Sequence, residues 1–278
     1  MTKIKIMKTS DITFCKGLTD IEQWGYVEDD FKRLIDYEPN GCFIAQRGDE
    51  KVGMITTTSY GTYAFLGSLI VRNDARRKGI GLRLMKRALY YLTKKGSTTI
   101  ELDGVFPAVM LYQRLGFKDK YLSLRFIKTA TVRHKKKSTS HTPQEKISNI
   151  VYFDRAKTGL DRAKILERLL NDLPHSVFTI REKDMKAYAL IRPRAGDVLM
   201  IGPLVSEHTV FAEKLLSKIV RIYSHKTLII GVPAVNSDAV DMMIRYGFIY
   251  KQPSLRMYRG IRMNYERHIY GILSPEKG

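Results

Sequence analysis

Two cysteines, Cys15 and Cys42, are the only thiols in the 278 residues, too few for a disulfide framework or a cysteine-based zinc site. That scarcity fits a reducing compartment, and a cytoplasmic location is expected. No apolar run reaches the roughly 18 residues that a membrane-spanning helix needs, so no membrane partner is expected. The opening stretch, MTKIKIMKTSDITF, has no apolar segment of the secretory type. The six histidines show no His-x-x-x-His spacing, which predicts no metal. Acidic residues are also scarce: 28 Asp and Glu against 48 Lys and Arg leave a formal charge of +20. Such a surplus favours a polyanionic partner, nucleic acid or a phosphate-rich cofactor, or else solvates the surface with no partner at all.

What is present is enough to build a core, and it comes in two similar pieces. Hydrophobic residues make up 44% of the chain and aromatics 10%, which excludes wholesale disorder. From Lys128 to Asn149 the sequence turns polar, with the run His134-Lys135-Lys136-Lys137 inside it. This reads as a linker and divides the chain into residues 1–130, a basic linker 131–149, and residues 150–278. The flanking halves share landmarks in the same order. Leu66-Gly67-Ser68-Leu69-Ile70-Val71 has a counterpart in Ile201-Gly202-Pro203-Leu204-Val205. Gly116-Phe117 answers to Gly247-Phe248, and each is followed by a strand carrying Ser-Leu-Arg. Ordered matches of this kind indicate a duplicated domain.

The patterning is mixed α/β. Gly41 to Arg47, Val52 to Tyr60 and Tyr63 to Val71 are β-rich runs separated by short turns, an antiparallel meander. Leu82, Met85, Leu89 and Leu92 then fall on one helical face. A strand from Thr98 to Leu102, a short helix from Ala108 to Leu115 and a last strand from Phe117 to Ile127 complete the half. Asp11 to Asp36 is expected to be helical, with Asp29 or Asp30 as an N-cap. In the second half, helices are predicted over Leu160 to Leu170 and Val210 to Tyr223. Strands are predicted over Ser176 to Ile180, Lys186 to Ile191, Val198 to Val205 and Thr227 to Val232.

Arg76-Arg77-Lys78-Gly79-Ile80-Gly81 lies between the strand ending at Val71 and the helix near Leu82. Unpaired N–H groups at a helix start carry partial positive charge and hold phosphates. Glycines let the backbone approach an oxyanion, and the three cations add full charge. No Lys-Ser or Lys-Thr follows the last glycine, so this is not a Walker loop.

Read as Arg-x-x-Gly-x-Gly between strand and amphipathic helix, with Leu111-Tyr112 and Gly116-Phe117 downstream, the first half resembles the GNAT superfamily of N-acyltransferases. The whole chain resembles the tandem GNAT proteins, whose C-terminal domain is degenerate; Asp154, Gly159, Asp161-Arg162 and Tyr246-Gly247-Phe248 carry that likeness. The resemblance implies an α/β fold of two GNAT-type domains, each a mostly antiparallel twisted sheet flanked by helices. It implies acetyl-CoA as co-substrate and direct acetyl transfer to an amine, from a small molecule or a protein. Leu69, Ile70 and Val71 would hold the thioester by their backbone, and Arg76, Arg77, Lys78, Gly79, Ile80, Gly81 and Leu82 the pyrophosphate. Tyr112 would be the proton donor to the departing thiolate. A base near the thioester is also needed, and Glu101 and Asp103, two apart on a strand, share a face and are the candidates. Two other functions compete: nucleic-acid binding, which would use the +20 directly, and an acyl-CoA sensor without turnover.

The second copy departs from the pattern. After Val205 comes Ser206-Glu207-His208-Thr209-Val210-Phe211, with no glycine and an acid where a pyrophosphate would sit. Met243 stands where the first copy has Tyr112, although Asn236 and Ala239 keep a family spacing that the first copy lacks at Val105. One cofactor per chain is therefore expected. Trp24 is a candidate wall of the acceptor site or a core residue.

Overall fold

The computed structural model describes residues 2–131 and 145–278, so the basic run of the linker lies outside the described residues. The described chain forms two compact units. The first contains residues 2–119 together with Met257–Arg262 and Pro275–Gly278. The second contains Lys120–Arg256, as far as described, and Met263–Ser274.

The first unit runs β1 (Thr2–Ile6), α1 (Ile12–Ile21), α2 (Glu28–Tyr37), β2 (Phe43–Arg47), β3 (Glu50–Tyr60), β4 (Tyr63–Val71), α3 (Ile80–Lys94), β5 (Thr99–Gly104) and α4 (Val109–Arg114). Its strands lie in the order β1-β2-β3-β4-β5. The meander β2-β3-β4 is antiparallel as expected, and the strand β1, with alternating Lys and Ile, pairs antiparallel to β2. β5 is parallel to β4, with α3 as the crossover. Ile80, Leu84, Met85, Ala88, Leu89 and Leu92 form the buried stripe of α3; Leu82 is only half-buried and Leu84 takes its place. Each of the Ile, Leu and Met side chains contributes roughly 1.5–3 kcal/mol by leaving water.

The N-cap of α2 is Val27, a correction to the expectation of Asp29 or Asp30. Asp30 sits one turn inside and accepts the Val27 N–H at 3.1 Å, so the acid caps from the N3 position. α1 and α2 pack Cys15, Leu18, Phe31 and Leu34 onto Cys42, Ile44, Met54 and Ile70 of the sheet. Trp24 belongs to the rim of this cluster, 6.2 Å from the Tyr26 ring. Both cysteine thiols are pushed up by burial, Cys42 to about 12, which removes them from nucleophilic chemistry.

The second unit runs β6 (Lys118–Lys128), α5 (Ile147–Thr158), α6 (Ala163–Asp172), β7 (Val177–Arg181), β8 (Met185–Arg194), β9 (Val198–Ser206), α7 (Thr209–Ile222), β10 (Thr227–Pro233), α8 (Ser237–Arg245), β11 (Ile249–Gly260) and β12 (Ile269–Gly271). α5 begins at Ile147, inside the stretch read as linker, and α6 starts three residues later than Leu160, after Asp161, which accepts the Ala163 N–H at 3.4 Å, and Arg162 as its N-cap. The meander β7-β8-β9 and the parallel pair β9-β10 repeat the plan of the first unit. β6, which follows the first half in sequence, pairs antiparallel with β10, from Leu228↔Lys128 to Pro233↔Ser123. The end of β11 belongs to the first unit, where Thr99 donates its hydroxyl to Ile261 O at 2.9 Å. Gly260, at φ +95°, has no room for a Cβ against Thr98 O.

Among the described residues no helix is long and apolar enough to cross a membrane.

Candidate active site

β4 and β5 pair in parallel from Tyr63↔Thr99 to Leu66↔Leu102 and then stop, although β4 continues to Val71 and β5 to Gly104. The divergence begins beside Gly67. At the same place β4 is irregular: its register with β3 shifts between Met54 and Thr56, and Ser68 takes a left-handed φ of 50°. A serine in that region costs energy that the surrounding strands must sustain. Its buried hydroxyl has no hydrogen-bond partner among the described residues. Leu69, Ile70 and Val71 follow directly, so the strand edge expected to meet a thioester is the segment that leaves β5.

The loop after Val71 combines an uncapped helix start with exposed cations. Gly79 is the N-cap of α3 at φ 73°, and no side chain caps the helix. The first N–H groups of a 15-residue helix are therefore free of any capping side chain. A Cβ on Gly79 would meet nothing within 4 Å, and Gly79 itself is exposed, so the helix start is open to solvent at this residue. Arg77 also takes a positive φ, 60°, and Arg76, Arg77, Lys78 and Gly79 are exposed. The three cations are not equivalent. Arg76 is held by Val71 O at 2.9 Å and by Glu22. Lys78 donates to Asp74 O at 2.9 Å, bracing the loop. Arg72 pairs with Asp74 and holds that carboxyl down to about 2. Ile80 is buried in the core, while a Cβ on Gly81 would lie 3.6 Å from Leu111 of α4. A pyrophosphate fits this loop: open backbone donors, an αL glycine and cations on the rim.

The Gly81–Leu111 approach brings α4, and Tyr112 with it, to the loop. Tyr112 is buried, edge-on to Phe117 with centroids 6.2 Å apart. A Cβ on Gly104 would come within 2.8 Å of its ring, so the glycine is required for the tyrosine's place. Burial pushes its hydroxyl above the usual phenol value, so it stays protonated and able to donate.

Glu101 and Asp103 alternate onto the face of β5 opposite Leu102 and Gly104. Tyr112 packs on the Gly104 side, so the candidate acid and the candidate bases stand on opposite faces of the strand. Glu101 is fully buried and accepts the Tyr63 hydroxyl at 3.0 Å, whereas Asp103 is half-buried. Sequence reasoning missed Tyr63, and with it Thr56, Thr58 and Ser68. Nothing in a strand of Thr and Ser residues marks which hydroxyls end up buried beside a site.

The second unit repeats the divergence and fills it. β9 and β10 pair from Val198↔Thr227 to Ile201↔Ile230 and then part. Here β12 enters: Ile269 and Gly271 pair with Val205 and Leu204, and Ile272 N–H donates to Gly231 O at 2.9 Å. Asn236 holds this insertion through its amide, which donates to Glu266 O and Ile269 O, while its oxygen caps α8 at Ala239 N. The Asn-x-x-Ala spacing therefore has a structural use. Met243 is a core residue. Glu207, expected to repel an anion, is paired with both Lys157 and Lys186, and those bonds hold its carboxyl below the usual range. Its charge is compensated, so the stronger obstacle to an anion is the missing glycine loop.

Each unit has the same plan, an antiparallel meander followed by a parallel strand pair that parts beside the start of the crossover helix, which places the chain among duplicated mixed α/β folds. The description "Acetyltransferase (GNAT) family" matches residues 13–117 and "Acetyltransferase (GNAT) domain" residues 150–271. The chain belongs to the GNAT acetyltransferase family and carries two such domains in tandem. It is 26% identical over 261 residues to a holothin acyltransferase of Pseudoalteromonas sp. (strain SANK 73390), covering 92% of this chain and 88% of that one. It is 32% identical over 101 residues to N-alpha-acetyltransferase 30 of Xenopus laevis, covering 33% of this chain and 37% of the relative. A crystal structure from Pyrococcus horikoshii superposes with a TM-score of 0.82 at 24% identity, over 100% of this chain and 96% of the other. A tandem GNAT protein of the clavulanic acid biosynthesis pathway gives 0.63 at 13% identity, over 94% and 98%. These likenesses establish a tandem GNAT fold and an acyltransferase family.

Proposed function

We propose that the protein transfers an acetyl group from acetyl-CoA to an amine, and that the first unit alone does so. The observation that carries the reading is the uncapped start of α3, with Gly79 in the left-handed region and open to solvent. The co-substrate supplies an activated thioester acyl group. The backbone of Gly79, Ile80, Gly81 and Leu82, with Arg76, Arg77 and Lys78 at the rim, would hold its pyrophosphate. The backbone of Leu69, Ile70 and Val71 would orient the acyl end. Tyr112, kept protonated by burial, donates a hydrogen bond to the sulfur that leaves. Glu101, or the more accessible Asp103, takes the proton from the acceptor amine, directly or through water. The second unit, its divergence filled by β12, serves as a scaffold.

The acyltransferase names of the relatives agree with this chemistry. A polyanion-binding role has one feature in its favour, an open groove on α7 rimmed by Lys214, Lys218 and Arg221 beside Tyr246. It offers no account of the loop at Gly79. The test is calorimetry with acetyl-CoA followed by an assay of coenzyme A release over a panel of amines. Tyr112→Phe should lower turnover by roughly tenfold to a thousandfold with acetyl-CoA affinity nearly unchanged. Absence of acetyl-CoA binding overturns the reading.

A further inference from the structure

A second basic surface, stronger than the groove on α7, is the outward face of α3. From Arg76 to Lys95 the chain has eight Lys and Arg residues and no Asp or Glu. The first three belong to the loop already described, and Lys95 is paired with Glu38. The other four, Arg83, Lys86, Arg87 and Lys94, are exposed, as is Tyr90 among them. At 3.6 residues per turn these five fall within an arc of roughly 100°, opposite the buried stripe of the helix. None of the four cations has an acidic partner among the described residues.

Solvation alone does not call for this arrangement. Arg83 stands three residues from Lys86 and four from Arg87, spacings at which like charges destabilise a helix by a few tenths of a kcal/mol. The other surface helices offset their cations with acids of their own: Lys16 pairs with Asp20 on α1, Lys32 with Asp29 on α2 and Arg168 with Asp172 on α6. The centre of the α3 face is aromatic. Tyr90 is 56% exposed, with the Arg87 guanidinium 6.0 Å from its ring centroid on one side and Lys94 Nζ 5.9 Å away on the other. Arg87 is itself seated 5.1 Å over the ring of Phe43, a buried residue of β2, which restricts its motion. An open ring between two cations suits a base that stacks while its phosphates meet the charges. From Arg83 to Lys94 the face runs about 17 Å, room for several phosphates of one strand. An acidic polypeptide would meet the charges and leave the ring unused. An anionic bilayer would find no apolar residues to insert, because those of α3 lie in the core.

We propose that the outward face of α3 is a docking surface for single-stranded nucleic acid, with Lys86, Arg87 and Lys94 meeting phosphates and Tyr90 stacking on a base. The inference is independent of the acyltransfer reading. Lys86 lies seven residues beyond Gly79, about 10 Å along the helix axis, so the surface is separate from the helix start assigned to the pyrophosphate.

The experiment measures fluorescence anisotropy of labelled oligo(U) and oligo(dT), about 12 nucleotides long, with the full chain at about 50 to 200 mM salt. Three variants are compared: Lys86→Gln with Arg87→Gln and Lys94→Gln; Tyr90→Ala; and, as a control of equal charge, Lys214→Gln with Lys218→Gln and Arg221→Gln on α7. All these positions are on the surface, and a melting temperature for each variant shows that it is folded. The α3 triple is expected to weaken binding about tenfold or more and to lower the salt slope by about 2, the value for three phosphates of a single strand. Tyr90→Ala should weaken binding about tenfold with the slope unchanged. The α7 triple should stay within about threefold of the full chain, and acetyl-CoA affinity within about twofold in every variant. Several results overturn the proposal: no binding by the full chain at the lowest salt, equal losses in the two triples, or no effect of Tyr90→Ala. So does tighter binding to phosphatidylserine vesicles or to an oligoglutamate peptide than to either oligonucleotide. An α3 triple that weakens acetyl-CoA as much as it weakens the oligonucleotides would assign the face to the co-substrate instead. Failure of the full chain to bind acetyl-CoA bears only on the acyltransfer reading.

Discussion

The Tyr63 hydroxyl donates to Glu101 Oε2 at 3.0 Å, joining the first paired residue of β4 to the centre of β5 just before the two strands part. Both residues are buried, so the bond fixes the orientation of a carboxylate that has little water around it. Tyr63→Phe removes the donor and is expected to cost about 1–3 kcal/mol, read as a lower midpoint in urea unfolding. Glu101→Gln is more informative, because the amide oxygen still accepts from Tyr63. If Glu101 takes the acceptor's proton, kcat should fall about a hundredfold or more while the unfolding midpoint barely moves. Asp103→Asn is the control, expected to leave kcat within about threefold. The reverse pattern would transfer the base role to Asp103.

The loop at Gly79 can be tested through its backbone angle rather than its charge. At φ 73° an Asn is tolerated and a Val is not. Gly79→Asn should keep acetyl-CoA affinity within a few-fold. Gly79→Val should weaken it about tenfold or more by turning the helix start away. Calorimetry on both variants checks this, and equal affinities would detach the loop from cofactor binding.

Much of the fold was legible because it is written in local periods. The α3 stripe, the meander and the turn at Gly116-Phe117 follow from spacing alone. The α2 cap was not legible, because Val27 gives no polar signal and Asp30 acts from inside the helix. The placement of β6 in the second unit and of the end of β11 in the first was hidden for a different reason. Both carry Ser-Leu-Arg and the same strand pattern, so no local feature says which unit each completes. The burial of Pro275–Gly278 was hidden most deeply, because Glu276 and Lys277 give no local sign of it and only the long-range approach to Gly67 and Tyr60 produces it. At the candidate site, glycines and cations were readable as a loop, whereas the buried hydroxyls around Glu101 depend on strand register.

The thiols give a test of the first unit's core. Cys15 and Cys42 are both buried, and burial raises both above the ordinary thiol range. In the native chain at pH 8 neither should react appreciably with iodoacetamide over the time in which an exposed thiol is consumed. Both should react in guanidinium. Fast native labelling at either position, located by peptide mass mapping, would show that α1 and α2 open from the sheet.

Glu207 makes a pH-dependent contribution to the second unit. Lys186 and Lys157 hold its carboxyl below the ordinary value of 4.5. A depressed carboxyl stabilises the fold above its unfolded value, and the contribution disappears as pH falls through the folded one. Glu207 is partly solvated, so the effect is expected to be under about 1 kcal/mol and smaller in high salt. Glu207→Gln should melt lower than the parent at pH 7, and the two should converge near pH 3. A gap that persists unchanged into acid would mean that the carboxamide disturbs packing instead.

The number of cofactors per chain follows from what occupies each strand divergence. In the first unit, the loop beside the divergence has a left-handed glycine and an uncapped helix start open to solvent. In the second, α7 starts at Thr209 after His208, and Val210 and Phe211 replace the glycines. The divergence itself is taken by β12, whose backbone satisfies Leu204, Val205 and Gly231. A Cβ on Gly202 would collide with Ile272 O, so the inserted backbone is seated tightly. Admitting an acyl-CoA there would require expelling β12 and leaving those backbone groups without partners, at roughly 1–3 kcal/mol for each buried group. One acetyl-CoA per chain is therefore expected in calorimetry and native mass spectrometry. Gly79→Val should weaken that single site without revealing another. A ratio of two, or a single site whose affinity is unchanged by both Gly79→Val and Arg76→Glu, would place the cofactor in the second unit and reverse the assignment of the two halves.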